Sequence, residues 1–270
     1  MTPRILIVAG SDSGGGAGIQ ADIKTVTMLG GHAMTAITAL TAQNTLGVTG
    51  VLPVPAEFVL QQMDAVIADI GVDAVKIGMI GSPETVHAVA ERLERMRQVP
   101  VVFDPVMIAS SGSVLADEPT IAAFERLLRV ATVATPNLPE LFALAGEGEQ
   151  EEAALRLADR FGCAVLAKGG HGGGETLVDL LVQPGGAVTR WEDTKIHTRH
   201  SHGTGCTLAS ALASELGRDT ALEEAVAIAR TAVRAALEAA PGLGQGHGPL
   251  GHWAIGRTGA AAGGKAQSFH

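Results

Sequence analysis

Short apolar runs alternate with amphipathic stretches along most of the chain, and this alternation constrains the fold more than any other feature. Residues 4–9 and 99–103 are apolar, β-branched runs, whereas residues 57–70 carry apolar side chains at helical spacing. Repeated alternation of this kind is typical of an α/β protein whose mostly parallel central sheet has helices on both faces. Ligands of such sheets bind beyond the carboxyl ends of the strands. We therefore predict an α/β fold with its site at that edge.

Composition narrows the class of protein. We predict one domain over residues 1–255 of the 270, followed by a flexible, glycine-rich tail at 256–270. The net charge is −9 and no basic stripe is present, which argues against a nucleic-acid partner. No apolar run approaches the roughly 18 residues that cross a membrane. The two cysteines, Cys163 and Cys206, form no disulfide framework, so a reduced, cytoplasmic protein is expected.

The strongest local motif is Gly203-Thr204-Gly205-Cys206, which opens an Ala- and Leu-rich helical stretch. The N-terminus of a helix offers unpaired N–H groups and a partial positive charge, and glycine lets a phosphate approach the backbone. The motif therefore suits an anion such as a phosphoryl group in transfer. Cys206 falls in the first turn, where we expect the dipole to lower the pKa of the thiol. The alternative interpretation is an ordinary glycine turn before a helix with a buried cysteine.

A glycine-rich loop at residues 10–18 connects the first predicted strand to the first helix. It lacks the Gly-Lys-Ser/Thr ending of a Walker A loop and does not fit the dinucleotide pattern G-x-G-x-x-G. So many glycines are costly in folding entropy, which favours close wrapping of a small ligand over a simple connection.

Polar residues follow several other predicted strands. Asp104 comes directly after residues 99–103, and Lys168 after residues 163–167. Asn137 and Glu140 are three residues apart at a helix start, where their oxygens would organise Mg²⁺ directly or through water. The same spacing is also that of a capping box, in which these two side chains only stabilise the helix. Lys168 would neutralise nucleotide phosphates, unless it is a solvated loop residue.

Taken in order, these motifs resemble hydroxymethylpyrimidine/phosphomethylpyrimidine kinases, members of the ribokinase-like superfamily. The resemblance covers nearly the whole chain. The stretches that carry it are AGSDSGGGAGIQADIKT (9–25), ITALTAQNTLGV (37–48), KIGMIG (76–81), DPVM (104–107), TPNLPE (135–140), KGGH (168–171), HGTGC (202–206) and GHGPLGH (246–252).

The resemblance implies a ribokinase-like fold, a homodimer, and ATP- and Mg²⁺-dependent phosphorylation. The substrates would be 4-amino-5-hydroxymethyl-2-methylpyrimidine and then its monophosphate, in thiamin biosynthesis. Asp22 and Gln43 would be the polar contacts to the pyrimidine, and a glutamine amide matches an aminopyrimidine edge because it both donates and accepts. The remaining implied roles fall into four groups: Gly10, Met79 and Val106 as walls of the ring site; Lys168 and Thr204 as ATP contacts; Asp104, Asn137 and Glu140 as the Mg²⁺ site; Gly203, Thr204, Gly205 and Cys206 as the anion hole.

Two further interpretations remain open at this point. Pyridoxine and pyridoxal kinases share the fold and often the glycine-cysteine anion hole, so vitamin B6 salvage is one alternative. A non-catalytic pyrimidine-binding module is the other, although such a protein would be expected to have lost part of the site.

Related sugar kinases end the anion-hole motif in Asp, and a thiolate of Cys206 would take over as proton acceptor. The nearby His197, His200 and His202 are interpreted as loop residues near the anion hole rather than as a metal site.

Overall fold

The computed structural model describes residues 1–108, 112, 114–171 and 174–256. Within these residues the strands are β1 Arg4–Asp12, β2 His32–Asn44, β3 Gly47–Pro53, β4 Ala74–Ile77, β5 Val101–Phe103, β6 Val133–Ala134, β7 Ala164–Ala167, β8 Thr176–Val182 and β9 Val188–Thr194. The helices are α1 Gly18–Met28, α2 Ala56–Asp69, α3 Pro83–Glu94, α4 Glu118–Leu128, α5 Leu138–Ala145, α6 Gln150–Phe161, α7 Thr204–Leu216 and α8 Leu222–Glu238.

These strands form a single sheet in the order β3-β2-β1-β4-β5-β6-β7-β8-β9. Six neighbouring strands run parallel to one another: β2, β1, β4, β5, β6 and β7. At one edge β3 pairs antiparallel with β2, and beyond β7 the antiparallel strands β8 and β9 continue the sheet. The prediction of a mostly parallel α/β sheet is confirmed. Strand β3 was not predicted, because its sequence GVTGVLP carries only a few scattered apolar residues.

Helices cover both faces of the sheet, as predicted. Side chains alternate along β1, so that Leu6 and Val8 belong to one core while Ile5 and Ile7 belong to the other. The first core packs against α2, α3, α4 and α6, and the second against α1, α7 and α8. Both cores consist mainly of Ala, Val, Leu and Ile, with Phe103 and Phe124 in edge-to-face contact in the first.

Two predictions about the whole chain, its domain limits and its flexible tail, stay predictions. One continuous sheet is what a single domain over residues 1–255 requires, but the domain limits stay a prediction. The predicted tail lies outside the described residues beyond Gly256. Among the residues described, none of the helices combines the length and apolar character that a membrane span needs.

Candidate active site

Three polar residues meet where neighbouring parallel strands end. Asp104 follows β5, Thr135 follows β6 and Lys168 follows β7. The Nζ atom of Lys168 is 2.9 Å from Asp104 Oδ1, and the Thr135 hydroxyl donates to the same oxygen at 2.9 Å. The Asp104 side chain is 3% exposed and that of Lys168 is 17% exposed. The sheet thus fixes a nearly buried ion pair at the edge where a ligand is expected, with the ammonium group still reachable.

The two partners keep each other charged. Burial opposes ionisation of Asp104, but the positive charges of Lys168 and Lys76 hold its pKa below the usual value. Burial likewise disfavours the charged form of Lys168, yet the negative charge of Asp104, with a contribution from Glu140, raises its pKa. A permanent cation therefore stands at the mouth of the site.

The predicted anion hole lies against this ion pair. Helix α7 begins at Thr204, so the N–H groups of its first turn lack partners within the helix. A Cβ atom placed on Gly205 would lie 3.1 Å from Asp104 Oδ2 and 3.4 Å from Lys168 Nζ. Gly203 has φ +93°, and a Cβ there would come within 1.9 Å of the Gly16 carbonyl oxygen. Glycine at these two positions lets the helix start pack between the ion pair and the glycine-rich loop.

Cys206 differs from expectation in its ionisation. We expected the helix dipole to lower the pKa of its thiol, and that expectation is wrong. Burial raises the pKa to about 11; the charge of Lys76 opposes this, while the carboxylates of Asp22 and Asp104 reinforce it. The thiol is therefore neutral at neutral pH. Neither Cys206 nor the buried Cys163 forms a disulfide.

A second ion pair lies in the interior, and sequence reasoning missed it. Lys76 in β4 and Asp22 in α1 have fully buried side chains, with Nζ 2.8 Å from Asp22 Oδ2. The Ser210 hydroxyl of α7 donates to the other carboxylate oxygen at 2.7 Å. A lysine in the middle of the apolar strand Ala74–Ile77 was the available signal. The predicted pyrimidine contact of Asp22 stays a prediction, and a ligand would share the carboxylate with these two partners.

The glycine-rich loop is organised by Asp12, which the sequence analysis did not single out. Its carboxylate accepts from the backbone N–H groups of Gly14, Gly16 and Ala17 at 2.8, 3.0 and 2.8 Å. His202 Nε2 lies 3.0 Å from Asp12 Oδ2. Burial opposes ionisation of Asp12, but the hydrogen bonds from His202 and the loop hold its pKa below the usual value. The signal in the sequence was an Asp two residues before a glycine run, the pattern of an Asx turn.

Gln43 lies at the end of β2 beside this loop. Its side-chain amide is 3.2 Å from His202 Nε2 at one end and 3.1 Å from the Thr41 hydroxyl at the other. It is half-buried, and these two contacts leave one donor and one acceptor position of its amide unused.

The three predicted walls of the ring site come from neighbouring strand ends. Gly10 lies in β1, and a Cβ there would be 3.1 Å from Met79 Sδ. Met79 follows β4, and its carbonyl accepts from the Thr38 hydroxyl at 2.6 Å. Val106 follows Asp104 in a tight turn, with its N–H donating to the Asp104 carbonyl at 2.8 Å. The contacts of these residues with a pyrimidine stay a prediction.

Asn137 and Glu140 form the capping box of α5. Asn137 Oδ1 accepts from the Glu140 N–H at 2.9 Å, and Glu140 Oε2 accepts from the Asn137 N–H at 2.8 Å. The capping interpretation is therefore realised. Burial raises the pKa of Glu140 to about 7. The positive charge of Lys168 opposes this rise, and the negative charge of Asp104 adds to it. No cluster of three or more His, Cys, Asp or Glu suited to a metal ion occurs in the described part of the chain.

Comparison with known proteins decides the family. The family model for phosphomethylpyrimidine kinase matches residues 12–251. The chain belongs to this family. It is 48% identical to the hydroxymethylpyrimidine/phosphomethylpyrimidine kinase of Rhizobium meliloti over 265 residues, which cover 94% of this chain and 98% of that protein.

Longer relatives contain the same unit. The chain is 48% identical over 254 residues to the thiamine biosynthesis bifunctional protein ThiED of Geobacter sulfurreducens, and the match covers 92% of this chain but 52% of that protein. The chain thus spans about half the length of this relative. Among solved structures, an ADP complex of Bacillus subtilis pyridoxal kinase has a TM-score of 0.86 at 32% identity, covering 94% of this chain and 99% of that one. The ribokinase-like fold implied by the motifs is confirmed.

Proposed function

We propose that this protein uses ATP to phosphorylate 4-amino-5-hydroxymethyl-2-methylpyrimidine and then its monophosphate. The observation that carries the proposal is the position of Lys168, whose ammonium group lies between Asp104 and the glycine-rich start of α7. Phosphoryl transfer depends mainly on positioning and on neutralising charge, and this arrangement supplies both. Relatives that match along nearly their whole length carry the names of both kinase activities.

Each step would use groups of the candidate site described above. The amides of Gly205 and Cys206 and the Lys168 ammonium would hold the phosphoryl group in transfer, with Thr204 toward ATP. Gln43 would contact the aminopyrimidine edge, and Gly10, Met79 and Val106 would flank the ring. Asp22 would be the second polar contact. In the first step the hydroxymethyl group must lose a proton, and the Cys206 thiol must ionise to accept it. In the second step the attacking phosphate oxygen is already ionised and needs no base.

The acidic residues fit a magnesium ion that arrives with the nucleotide. Mg²⁺ usually takes one or two carboxylates, several waters and the phosphates themselves, so a complete protein cage is not required. Lys168 and Thr135 both contact Oδ1 of Asp104, so Oδ2 would be the oxygen that contacts the ion. Glu140 adds a second carboxylate near Lys168. Asn137 would act through water, since its amide oxygen already caps α5. The ion would neutralise phosphate charge at this edge.

Pyridoxal phosphorylation is the second candidate function. It is favoured by the structural likeness to pyridoxal kinase, although the pyrimidine kinase relatives are more similar in sequence. A module that binds a pyrimidine without turnover is a weaker candidate, because Lys168, Asn137, Glu140 and the anion-hole glycines are all present.

A coupled assay tests the proposal directly. Purified protein with ATP and Mg²⁺ is offered hydroxymethylpyrimidine, its monophosphate and pyridoxal side by side. Turnover of both pyrimidines with little pyridoxal activity is expected. A clear preference for pyridoxal would move the assignment to vitamin B6 salvage, and no turnover of any of the three would favour the binding module.

A further inference from the structure

His202 occupies a position from which it contacts both the glycine-rich loop and the predicted pyrimidine-reading residue. Its side chain is 9% exposed, and its Nε2 is 3.0 Å from Asp12 Oδ2 and 3.2 Å from the Gln43 amide. Within the described residues, the other hydrogen bonds to the Asp12 carboxylate come from backbone N–H groups, so this carboxylate acts as an acceptor. His202 must therefore carry a proton on Nε2 to contact it.

That proton determines which end of the Gln43 amide faces the histidine. With Gln43 Nε2 toward His202, two N–H donors would oppose each other across 3.2 Å. The oxygen and nitrogen ends of an amide have nearly the same shape, so their hydrogen-bond partners decide the orientation. An oxygen at this end would accept from the His202 Nε2–H, which Asp12 and Gln43 would then share.

The opposite end of the amide leads to the same orientation independently. The Thr41 hydroxyl is 2.9 Å from the Ser11 carbonyl oxygen, which can only accept, so the single hydroxyl proton points there. Toward Gln43, at 3.1 Å, the hydroxyl oxygen can then only accept. The amide nitrogen satisfies it and the amide oxygen does not.

We propose that His202 is a specificity-determining positioning residue, which holds the Gln43 amide with its oxygen toward His202 and its nitrogen toward Thr41. One lone pair of the oxygen and one hydrogen of the nitrogen remain, in a fixed order, for the ligand. This pair complements a heterocycle that carries an amine next to a ring nitrogen. The inference rests on the proposed function, in which Gln43 contacts the pyrimidine. Pyridoxal has no such amine, so it gains nothing from the fixed order.

The ring of His202 is itself held in place. A Cβ atom on Gly16 would lie 2.5 Å from His202 Cδ2, so the loop backbone packs directly against the imidazole. The backbone N–H of His202 donates to the Gly248 carbonyl at 3.2 Å, and the residue after His202 is Gly203 of the anion hole. His202, which would orient the Gln43 amide, is therefore held rigidly next to the anion hole.

Two variants separate the hydrogen bond from packing. His202→Phe keeps an aromatic ring without a donor, and His202→Gln restores an N–H near the Nε2 position; exposed His32 changed to Phe is the matched control. Loss of one polar contact should raise the KM for hydroxymethylpyrimidine about tenfold in His202→Phe, with the KM for ATP and the kcat/KM for pyridoxal changed less than about twofold. His202→Gln should recover most of the loss. An equal loss for all substrates, or no rescue by Gln, would overturn the proposal.

A measurement without substrate distinguishes failure of this inference from failure of the proposed function. Nitrogen-15 spectra of the imidazole report which ring nitrogen of His202 carries the proton. A protonated Nε2 is expected, and a bare Nε2 overturns the proposal whatever the turnover. If Nε2 is protonated but the wild type turns over no pyrimidine, the proposed function fails, and the specificity assigned to His202 fails with it.

Discussion

At the residue scale, Cys206 shows how burial changes the chemistry that a motif suggests. A thiol with a pKa of about 11 is a poor acceptor at neutral pH, but it becomes a strong base once it ionises. Lys76 favours the thiolate, and Asp22 and Asp104 disfavour it. In the proposed reaction, the first phosphorylation, in which a hydroxyl must lose its proton, is the step that would depend on this balance.

Replacing Cys206 by Ala should therefore affect the two half-reactions unequally. Loss of a general base costs roughly 10²-fold or more, so kcat with hydroxymethylpyrimidine should fall by about that factor, and kcat with the monophosphate by much less. Cys163→Ala, which removes a core thiol remote in sequence, serves as the control. Equal losses in both half-reactions would contradict the role of Cys206 as a base.

The same residue predicts a pH dependence. The basic form of Cys206 exists above its pKa, so in wild type the rate of the first step should rise with pH toward about 11. Cys206→Ala should lose this rise. Stopped assays with each substrate between neutral and alkaline pH measure it, and an unchanged slope in the variant would assign the rise to another group.

The sequence predicted the residues at the strand ends but not their partners. Lys168 and Asp104 were identified because each follows an apolar strand. Asp12 and Lys76 were missed, and His202 was expected near the anion hole but without its contact to Asp12. The Lys76–Asp22 and His202–Asp12 contacts join residues 54 and 190 positions apart, which no local pattern reveals. The ionisation of Cys206 was misjudged for the same reason, since burial is a property of the whole fold.

At the element scale, the Lys76–Asp22 pair joins three elements beneath the site. Asp22 lies in α1, Lys76 in β4 and Ser210 in α7, and all three side chains are buried. Burial would lower the pKa of Lys76, but the negative charge of Asp22 raises it well above the usual value. Together with Ser210, the pair fixes the positions of α1 and α7 on one face of the sheet.

Lys76→Met should destabilise the protein strongly because it leaves Asp22 buried without its cation. Such a change typically costs about 3–5 kcal/mol, and Lys76→Met combined with Asp22→Leu should recover a large part of it. Burial raises the pKa of Asp22, so the folded variant takes up a proton more readily than the unfolded chain. The loss should consequently shrink as the pH falls below neutral. Urea unfolding at several pH values measures this, and a loss independent of pH would contradict it.

The capping box of α5 separates stability from metal use. Asn137→Ala removes the cap and should lower the free energy of unfolding by about 1 kcal/mol. Glu140→Gln keeps a side chain that caps at this position but removes the charge, so its stability should change little. If Glu140 supports Mg²⁺, this second variant should need about tenfold more Mg²⁺ for half-maximal activity. An unchanged Mg²⁺ requirement would leave Glu140 as a cap alone.

At the scale of the whole molecule, the sequence predicted the layers but not the edge of the sheet. Alternating apolar runs were enough to predict the parallel strands and the helices on both faces. The edge strand β3 was missed because few of its residues face a core, and four of its seven residues are exposed. An edge strand buries few side chains, so its sequence carries little of the apolar pattern by which strands are predicted. The role of such a strand is therefore inferred from its exposed side chains.

What β3 exposes supports the predicted homodimer, and we propose that a second copy of this chain covers it. Leu52 in β3 lies opposite Leu40 in β2, and the two are 63% and 44% exposed. Leu46 and Val51 add exposed fractions of 64% and 48%. Exposed apolar side chains next to an open strand edge are typical of a surface that pairs with another chain.

Light scattering after gel filtration tests this arrangement. Wild type should elute with twice the mass of one chain, and Leu52→Lys should elute as a monomer because a charge would be buried in the interface. Val188→Lys is the matched control, since Val188 is 40% exposed on β9 at the opposite edge of the sheet. A dimer that survives Leu52→Lys but is lost in Val188→Lys would move the interface to the β9 edge. A monomeric wild type would exclude the homodimer itself and leave the apolar face of β3 to a different partner.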